Sequence, residues 1–487
     1  MIKRELQTVL EKWLYKGKIL ILYGARQVGK TTLVKELLKK YKISDGYFDC
    51  EIIALKQALE TKDPDKLKQF VGNSKLVVLD EAQKVTDIGV TLKLLADHFP
   101  EVQIIATGSS SFDLANKVNE PLTGRALEFI LAPLSIEELK QIYNPIELKE
   151  QVEQRLRFGM YPEIVRQAET AGKTLLDNLA SKYLYKDILE FDRVRKSEIL
   201  LRLLQFLALQ IGNEVSFYEL ATALEVDRNT VIKYIDLLEK TFVITKLRAF
   251  SRNLRKEINK KNKIFFYDLG IRNSLIANYN PINIRNDLGG LWENFCVIER
   301  LKFLQNNGIA VNRYFWRTHD QKEIDYLEES DGKLKGFEFK WNKESFKPAG
   351  EFLKTYPGST VDLINRNNFM EKLFKMQKIT SWQNVQNIVH FKDMNTIALS
   401  DLRTNLPTVI DKIADGLDRL IVTVSGKPKA ILMSLEEAEI IDETAEILSV
   451  PGALKEIKEG WKEARQGKGT PLRDLLWIYG KFWGYFN

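Results

Sequence analysis

Eight consecutive residues near the start of the chain, Gly24-Ala25-Arg26-Gln27-Val28-Gly29-Lys30-Thr31, have the spacing G-x-x-x-x-G-K-[ST]. That spacing suits phosphate. Glycines let successive backbone N–H groups curl around phosphate oxygens, a following helix adds positive potential, the lysine reaches the β- and γ-phosphates, and the hydroxyl ligates Mg²⁺. Gly24, Arg26, Gln27, Val28, Gly29, Lys30, Thr31 and Thr32 are therefore the expected nucleotide-binding residues, with Thr31 also a Mg²⁺ ligand. The run Lys75-Leu76-Val77-Val78-Leu79-Asp80-Glu81 supplies the second half of such a site, an apolar strand that delivers two carboxylates at its C-terminal end. Ligands of open α/β sheets bind at such ends. Asp80 is expected to hold Mg²⁺, directly or through water, and Glu81 to polarise the attacking water. A third apolar run ends in Thr107-Gly108-Ser109-Ser110-Ser111. Its hydroxyls, Ser109 first, could touch the γ-phosphate or the water, although Ser-rich turns are also ordinary loop chemistry.

A second set of chemistry-bearing residues lies far downstream. A helix beginning near Gly290 carries Glu299, then come Glu323-Ile324-Asp325 and, on another strand, Glu338-Phe339-Lys340. An acid on a helix, an Asp at a strand and a Glu-x-Lys about a dozen residues later match the nuclease pattern PD-(D/E)xK in spacing, with Ile324 standing where the pattern has Pro. Strand alternation puts Glu338 and Lys340 on one face. Asp325 and Glu338 could bind Mg²⁺ while Lys340 stabilises charge on a scissile phosphate. Phosphodiester cleavage and a retained fold with a binding role are both open.

These groups need elements to hold them. Short apolar strands at 18–23, 47–50, 75–80 and 102–107 alternate with helical patterns, which predicts a parallel α/β sheet. From 135 to about 246 the pattern is almost wholly helical. Within it, 215–225 reads as a capped helix, 226–229 as a turn and 230–240 as a second helix; strands at 242–247 and 264–267 flank a basic loop, 252–263. This is helix-turn-helix plus wing. Arg228, Asn229 and Lys233 would face a major groove if the module binds DNA, and protein docking is the equal alternative. Strands return from about 291 to 365, mixed with helices. Residues 377–393 are polar and aperiodic, a linker.

At 487 residues the chain has room for about three domains. Hydrophobic residues at 44% with 29% charged describe ordinary globular usage rather than a fibrous or disordered chain. Apolar stretches are strand-sized, well short of the roughly 20 residues of a membrane helix. The N-terminus runs straight into an amphipathic pattern without an apolar signal core, so no membrane and a cytoplasmic location are expected. Cys50 and Cys296 stand far apart, as do His98, His319 and His390, which supports neither a disulfide framework nor a zinc site. The net charge of +7 permits a nucleic-acid partner, although residues 394–474 carry an acidic excess.

Together, residues 24–32, Leu79-Asp80-Glu81-Ala82-Gln83, Thr107-Gly108-Ser109-Ser110, and Leu122-Thr123-Gly124-Arg125 followed by Leu131-Ala132-Pro133-Leu134-Ser135 resemble a large family of prokaryotic AAA-type ATPases. Members carry a C-terminal domain of unknown function that is itself similar to restriction endonucleases. The resemblance covers about residues 1–376. It implies Mg²⁺-dependent ATP hydrolysis in a homo-oligomer, with Arg125 as an arginine finger acting from a neighbouring subunit; an Arg after a Gly is also an ordinary surface ion-pair partner. Phe158-Gly159-Met160-Tyr161-Pro162-Glu163 is similar to the family's linking segment and reads here as a packing turn.

Beyond 394, a helix to about 414, a strand at 420–424, the turn Ser425-Gly426-Lys427-Pro428, a strand at 429–433 and the helix cap Ser434-Leu435-Glu436-Glu437 resemble the Phd/YefM antitoxin family over about 80 residues. The resemblance implies a dimerising N-terminal half that binds operator DNA through Arg403, and an acidic helix, 436–465, that wraps a ribosome-dependent RNase toxin. An adapter that uses the hairpin only to dimerise is the alternative. Residues 377–393 fit neither family, an arrangement that two neighbouring genes read as one chain would produce.

The expected fold is thus α/β: a P-loop NTPase parallel sheet (1–135), a helical region with a winged helix (136–285), a PD-(D/E)xK-like α/β domain (286–376), a linker (377–393), a small α+β antitoxin-like domain (394–476) and a tail (477–487). The leading function is ATP hydrolysis that drives rearrangement of the winged-helix and nuclease-like domains, acting on DNA. The runner-up is a DNA-binding regulator of a toxin–antitoxin system in which nucleotide only switches conformation.

Overall fold

The computed structural model describes residues 2–109, 122, 124–184, 197–250, 262–318, 322–330, 332–346, 350–375, 396–398, 420–424 and 427–432. The chain divides into two compact units, Met1–Met376 and Gln377–Asn487.

The first unit opens with helix α1 (Leu6–Trp13), whose Leu6, Val9 and Leu10 are buried. Five parallel strands follow in the order β2-β3-β4-β1-β5: β1 (Ile19–Tyr23), β2 (Tyr47–Asp49), β3 (Leu76–Asp80), β4 (Gln103–Gly108) and β5 (Ala126–Ile130). All five residues of β1 and of β3 are buried, as continuous apolar runs are in a sheet covered on both faces. Strand β5 was not expected; its residues are half-buried or exposed, so it lacks the apolar run that marks the others. Helix α2 (Lys30–Lys40) starts directly after the second glycine of the loop. Among the described residues no helix is long and apolar enough to cross a membrane.

A second sheet has seven strands in the order β12-β11-β10-β9-β7-β8-β6. Its members are β6 (Glu214–Val215), β7 (Ile244–Ala249), β8 (Asn262–Phe266), β9 (Asn312–Arg317), β10 (Glu323–Ser330), β11 (Lys333–Phe339) and β12 (Thr360–Ile364). Parallel pairing of β7 with β9, Arg248 opposite Tyr314, runs this sheet straight across the expected boundary at 285/286. The strands read as a wing and the strands read as nuclease-like therefore form one sheet. Helices α3 (Phe217–Leu224) and α4 (Arg228–Lys240) precede β7. The Asp227 side chain accepts the Thr230 N–H, which starts α4 at Arg228. Helix α5 (Leu288–Asn306) is buried along almost its whole length and is tied to β8 by Asn294, which accepts from Phe266 N at 2.8 Å and donates to Phe266 O at 2.8 Å.

In the second unit the described residues are three strands, β13 (Thr396–Ala398), β14 (Leu420–Val424) and β15 (Lys427–Leu432). β13 pairs parallel with β14, and β14 pairs antiparallel with β15. The linker at 377–393, Arg403, the acidic helix and the tail lie outside the described residues.

Candidate functional site

The glycine loop leaves the end of β1 and needs unusual backbone at two glycines. Gly24 has φ +157°, and a Cβ there would lie 2.3 Å from the Leu131 carbonyl oxygen. Gly29, at φ +98°, sits in the left-handed region at the N-cap of α2. Lys30 is buried, with its ammonium folded back over the loop, donating to Gly24 O at 2.8 Å and Ala25 O at 3.1 Å. One residue on, Thr31 Oγ1 donates to Asp80 Oδ2 at 2.7 Å, so the two halves of the motif meet. Asp80 also accepts from Tyr47 OH at 2.6 Å and from the Thr107 hydroxyl. Burial and the neighbouring Asp80 push the Tyr47 phenol well above its ordinary value.

Glu81 stands in left-handed backbone, φ +52°, with its N–H donating to Thr107 Oγ1 at 3.1 Å. Gln83 Nε2 donates to the Glu81 carboxylate and, at 3.1 Å, to Ser109 Oγ, which brings Ser109 to the acid. Ser110 and Ser111 lie outside the described residues. A cleft of ≈ 520 Å³ opens over this cluster, lined among others by Arg26, Gln27, Gly29, Lys30, Thr31, Thr32, Asp80 and Glu81. Arg125 stands elsewhere, half-exposed, with Nε 2.8 Å from Asp97 Oδ1.

The downstream acids assemble differently from the sequence expectation. Asp325 Oδ2 accepts from Phe339 N at 2.8 Å and lies 3.1 Å from Lys340 Nζ, which also lies 2.8 Å from Glu338 Oε1. Lys340 is held above its usual value because Asp325 and Glu338 outweigh its burial. Glu299 is not part of this cluster. Its Oε2 accepts the Ile136 N–H at 2.7 Å and its Oε1 lies 2.7 Å from Lys302 Nζ, a buried pair on another face of α5. The acid that α5 does supply is Glu293. Its partner is Lys263, read from sequence as part of a basic loop but found on β8 with its side chain 2% exposed. Lys263 Nζ lies 2.7 Å from Glu293 Oε1, contacts Glu323 and stands 4.0 Å from Asp325 Oδ1. Burial pushes the Glu293 carboxyl up against the pull of Lys263. Among the described residues no group of three or more His, Cys, Asp or Glu is arranged to hold a metal ion.

Arg228, Asn229 and Lys233 are all exposed on the first half of α4.

Four family models match along the chain: an AAA domain at residues 16–140, two domains of unknown function at 149–282 and 288–381, and the antitoxin Phd_YefM, type II toxin–antitoxin system, at 394–467. Antitoxin YefM of Escherichia coli is 31% identical over 83 residues, which are 17% of this chain and 99% of that protein. The chain carries an AAA domain and, at its C-terminal end, belongs to the Phd/YefM antitoxin family. An uncharacterized protein of Mycobacterium tuberculosis is 27% identical to this AAA–antitoxin chain over 342 residues, 69% of this chain and 74% of that one. The Thermotoga maritima RuvB Holliday junction branch migration motor overlays with a TM-score of 0.27 at 18% identity, over 53% of this chain and 93% of that one.

Sequence reasoning gave no role to Tyr47, Lys263, Glu293 and Arg4. Each reaches its site across the sheet or from a distant segment, so no local spacing marks it.

Proposed function

We propose that the AAA–antitoxin chain is a Mg²⁺-dependent ATPase whose nucleotide cycle rearranges the helical and seven-stranded parts of the first unit, while the antitoxin domain engages a toxin and operator DNA. The observation that carries this reading is the meeting of Thr31 with Asp80 beneath the Lys30 loop. Two oxygen donors side by side suit Mg²⁺, which takes one or two protein oxygens and completes its shell with water and phosphate. Thr31 and Asp80 would hold the ion, which when bound supplies charge neutralisation at the β- and γ-phosphates.

The loop N–H groups from Arg26 to Thr32 bind the phosphates, and Lys30 exchanges its two carbonyl partners for phosphate oxygens. Glu81, braced by Gln83, accepts a hydrogen bond from the attacking water and so raises its nucleophilicity. Ser109, on the same Gln83, orients that water or the γ-phosphate. Arg125 is assigned the finger role in a homo-oligomer, where it would exchange Asp97 for the neighbour's nucleotide.

For the downstream cluster the donor set does not fit a catalytic metal, because the Lys263 ammonium already stands among Glu293, Glu323 and Asp325. This favours a retained nuclease-like fold with a binding role over phosphodiester cleavage. The exposed row Arg228, Asn229 and Lys233 on a helix-turn-helix followed by a β-hairpin supports DNA as the ligand of the winged-helix module. Steady-state ATP turnover by the purified chain, set beside binding of short duplex DNA, tests the assignment. DNA binding without turnover would favour a regulator in which nucleotide only switches conformation.

A further inference from the structure

Arg4 belongs to none of the motifs that compose the nucleotide site, yet its guanidinium is bonded on every side. Nη1 donates to Val28 O at 2.6 Å, Nη2 to Ala132 O at 2.6 Å and Nε to Glu138 Oε1 at 2.9 Å. The arginine side chain is 9% exposed and that of Glu138 fully buried. Glu138 in turn accepts from Glu5 N at 2.9 Å and Ser135 N at 3.0 Å, closing a capping box on the short helix Ile136–Leu139.

Val28 lies inside the phosphate loop. Its carbonyl and the Gly29 N–H belong to one planar trans peptide and point in opposite directions. Holding Val28 O toward Arg4 therefore aims the Gly29 N–H away from Arg4, and Gly29 lines the cleft. The segment gripped by Arg4 is held from its far side by α5: Ile136 N donates to Glu299 Oε2 at 2.7 Å, and Lys302 Nζ donates to Leu134 O at 2.8 Å. Its start is tied to the end of β1, one residue before the loop, by Leu131 N, which donates to Tyr23 O at 2.7 Å. A short run of backbone, 131–138, thus lies between the nucleotide loop and the helix that carries Glu293, with buried charges gripping both sides.

We propose that Arg4 is a positioning residue for the nucleotide loop, and that residues 131–138 transmit the loop's nucleotide-dependent shape to α5 through Glu299 and Lys302. The proposal rests on the ATP reading above. Lysine at position 4 keeps the charge opposite Glu138 but cannot span three acceptors. In the full chain, Arg4→Lys should raise the KM for ATP about tenfold and leave kcat within about threefold. Lys302→Met, at the far end of the relay, should leave KM near wild type.

Hydrogen exchange, followed with and without Mg²⁺ and a non-hydrolysable ATP analogue, reads the relay. In wild type the analogue should slow exchange at 24–31, at 131–139 and at 288–306. Arg4→Lys should lose the response at the latter two segments while keeping it at 24–31, and Lys302→Met should lose it at 288–306 alone. An unchanged KM in Arg4→Lys overturns the positioning role. A wild-type-like response of 288–306 in both variants overturns the relay. Failure of the wild-type chain to bind the analogue, measured in the same samples, would remove the ATP reading itself and the proposal with it.

Discussion

Lys263 and Glu293 meet with Nζ 2.7 Å from Oε1, on a strand and a helix that sequence alone gives no reason to pair. The ammonium stands among three carboxylates, and its removal leaves Glu293 buried without its cation. Lys263→Met should cost about 3–5 kcal/mol in denaturant unfolding. Adding Glu293→Gln should recover part of that loss, since the carboxyl left without its cation disappears with it. Duplex DNA should stay intact in Mg²⁺ or Mn²⁺ with the wild-type chain; cleavage that Asp325→Ala abolishes would contradict the closed-cluster reading.

Asp287 lies between Arg272 Nη1 at 2.6 Å and Arg285 Nη2 at 2.7 Å. Burial alone would raise its carboxyl, but the hydrogen bonds from Arg285 and Arg272 prevail and hold it down to about 2. A depressed carboxyl contributes stability that is present above its unfolded value near 4 and is lost as pH falls through about 2. Asp287→Asn should therefore lower stability at pH 7 by on the order of 2 kcal/mol. It should also flatten the acid limb between pH 4 and 2; an acid limb identical to wild type would rule this out.

Arg125 has two competing duties, the exposed pair with Asp97 and the finger assigned above. Exposed pairs contribute little to stability. If the finger is real, Arg125→Ala should reduce ATP turnover about 10³-fold, and mixing it with a Lys30→Ala chain should restore some activity in shared oligomers. Asp97→Asn should leave turnover near wild type. Equal, small effects of both substitutions would confine Arg125 to the ion pair.

The proposed nucleotide site was legible because its donors occupy eight consecutive residues between a buried strand and a helix, and because Asp80 and Glu81 end a second buried strand. Tyr47 was not, nor was the bond of Thr107 to Asp80, since both reach Asp80 only because β2 and β4 flank β3. Lys263 ends a basic run and read as part of a loop, whereas β8 lies inside a sheet between β7 and β6. Glu299, the acid named on α5, turns away from the cluster for a geometric reason. Residues six apart on a helix turn to faces about 120° apart, and α5, whose polar residues are spread around its circumference, offers no polar stripe to fix its phase.

Arg403, outside the described residues, carries the DNA expectation for the antitoxin domain. The full chain should bind a short palindromic duplex with an affinity that falls steeply as salt rises, because phosphate contacts release counterions. Arg403→Ala should reduce the slope of log K against log salt by about one. An unchanged slope would move the contact to another residue.

The central claim is ATP hydrolysis at the Lys30, Thr31, Asp80 and Glu81 site, and the most direct measurement is steady-state ATP turnover by the purified chain beside Glu81→Gln, with ATP binding measured on both. The wild type should hydrolyse ATP in a Mg²⁺-dependent manner, while Glu81→Gln should bind ATP nearly as well and lose turnover by about 10²-fold or more. Lys30→Ala should lose both. Wild-type turnover in Glu81→Gln and Lys30→Ala would contradict the account.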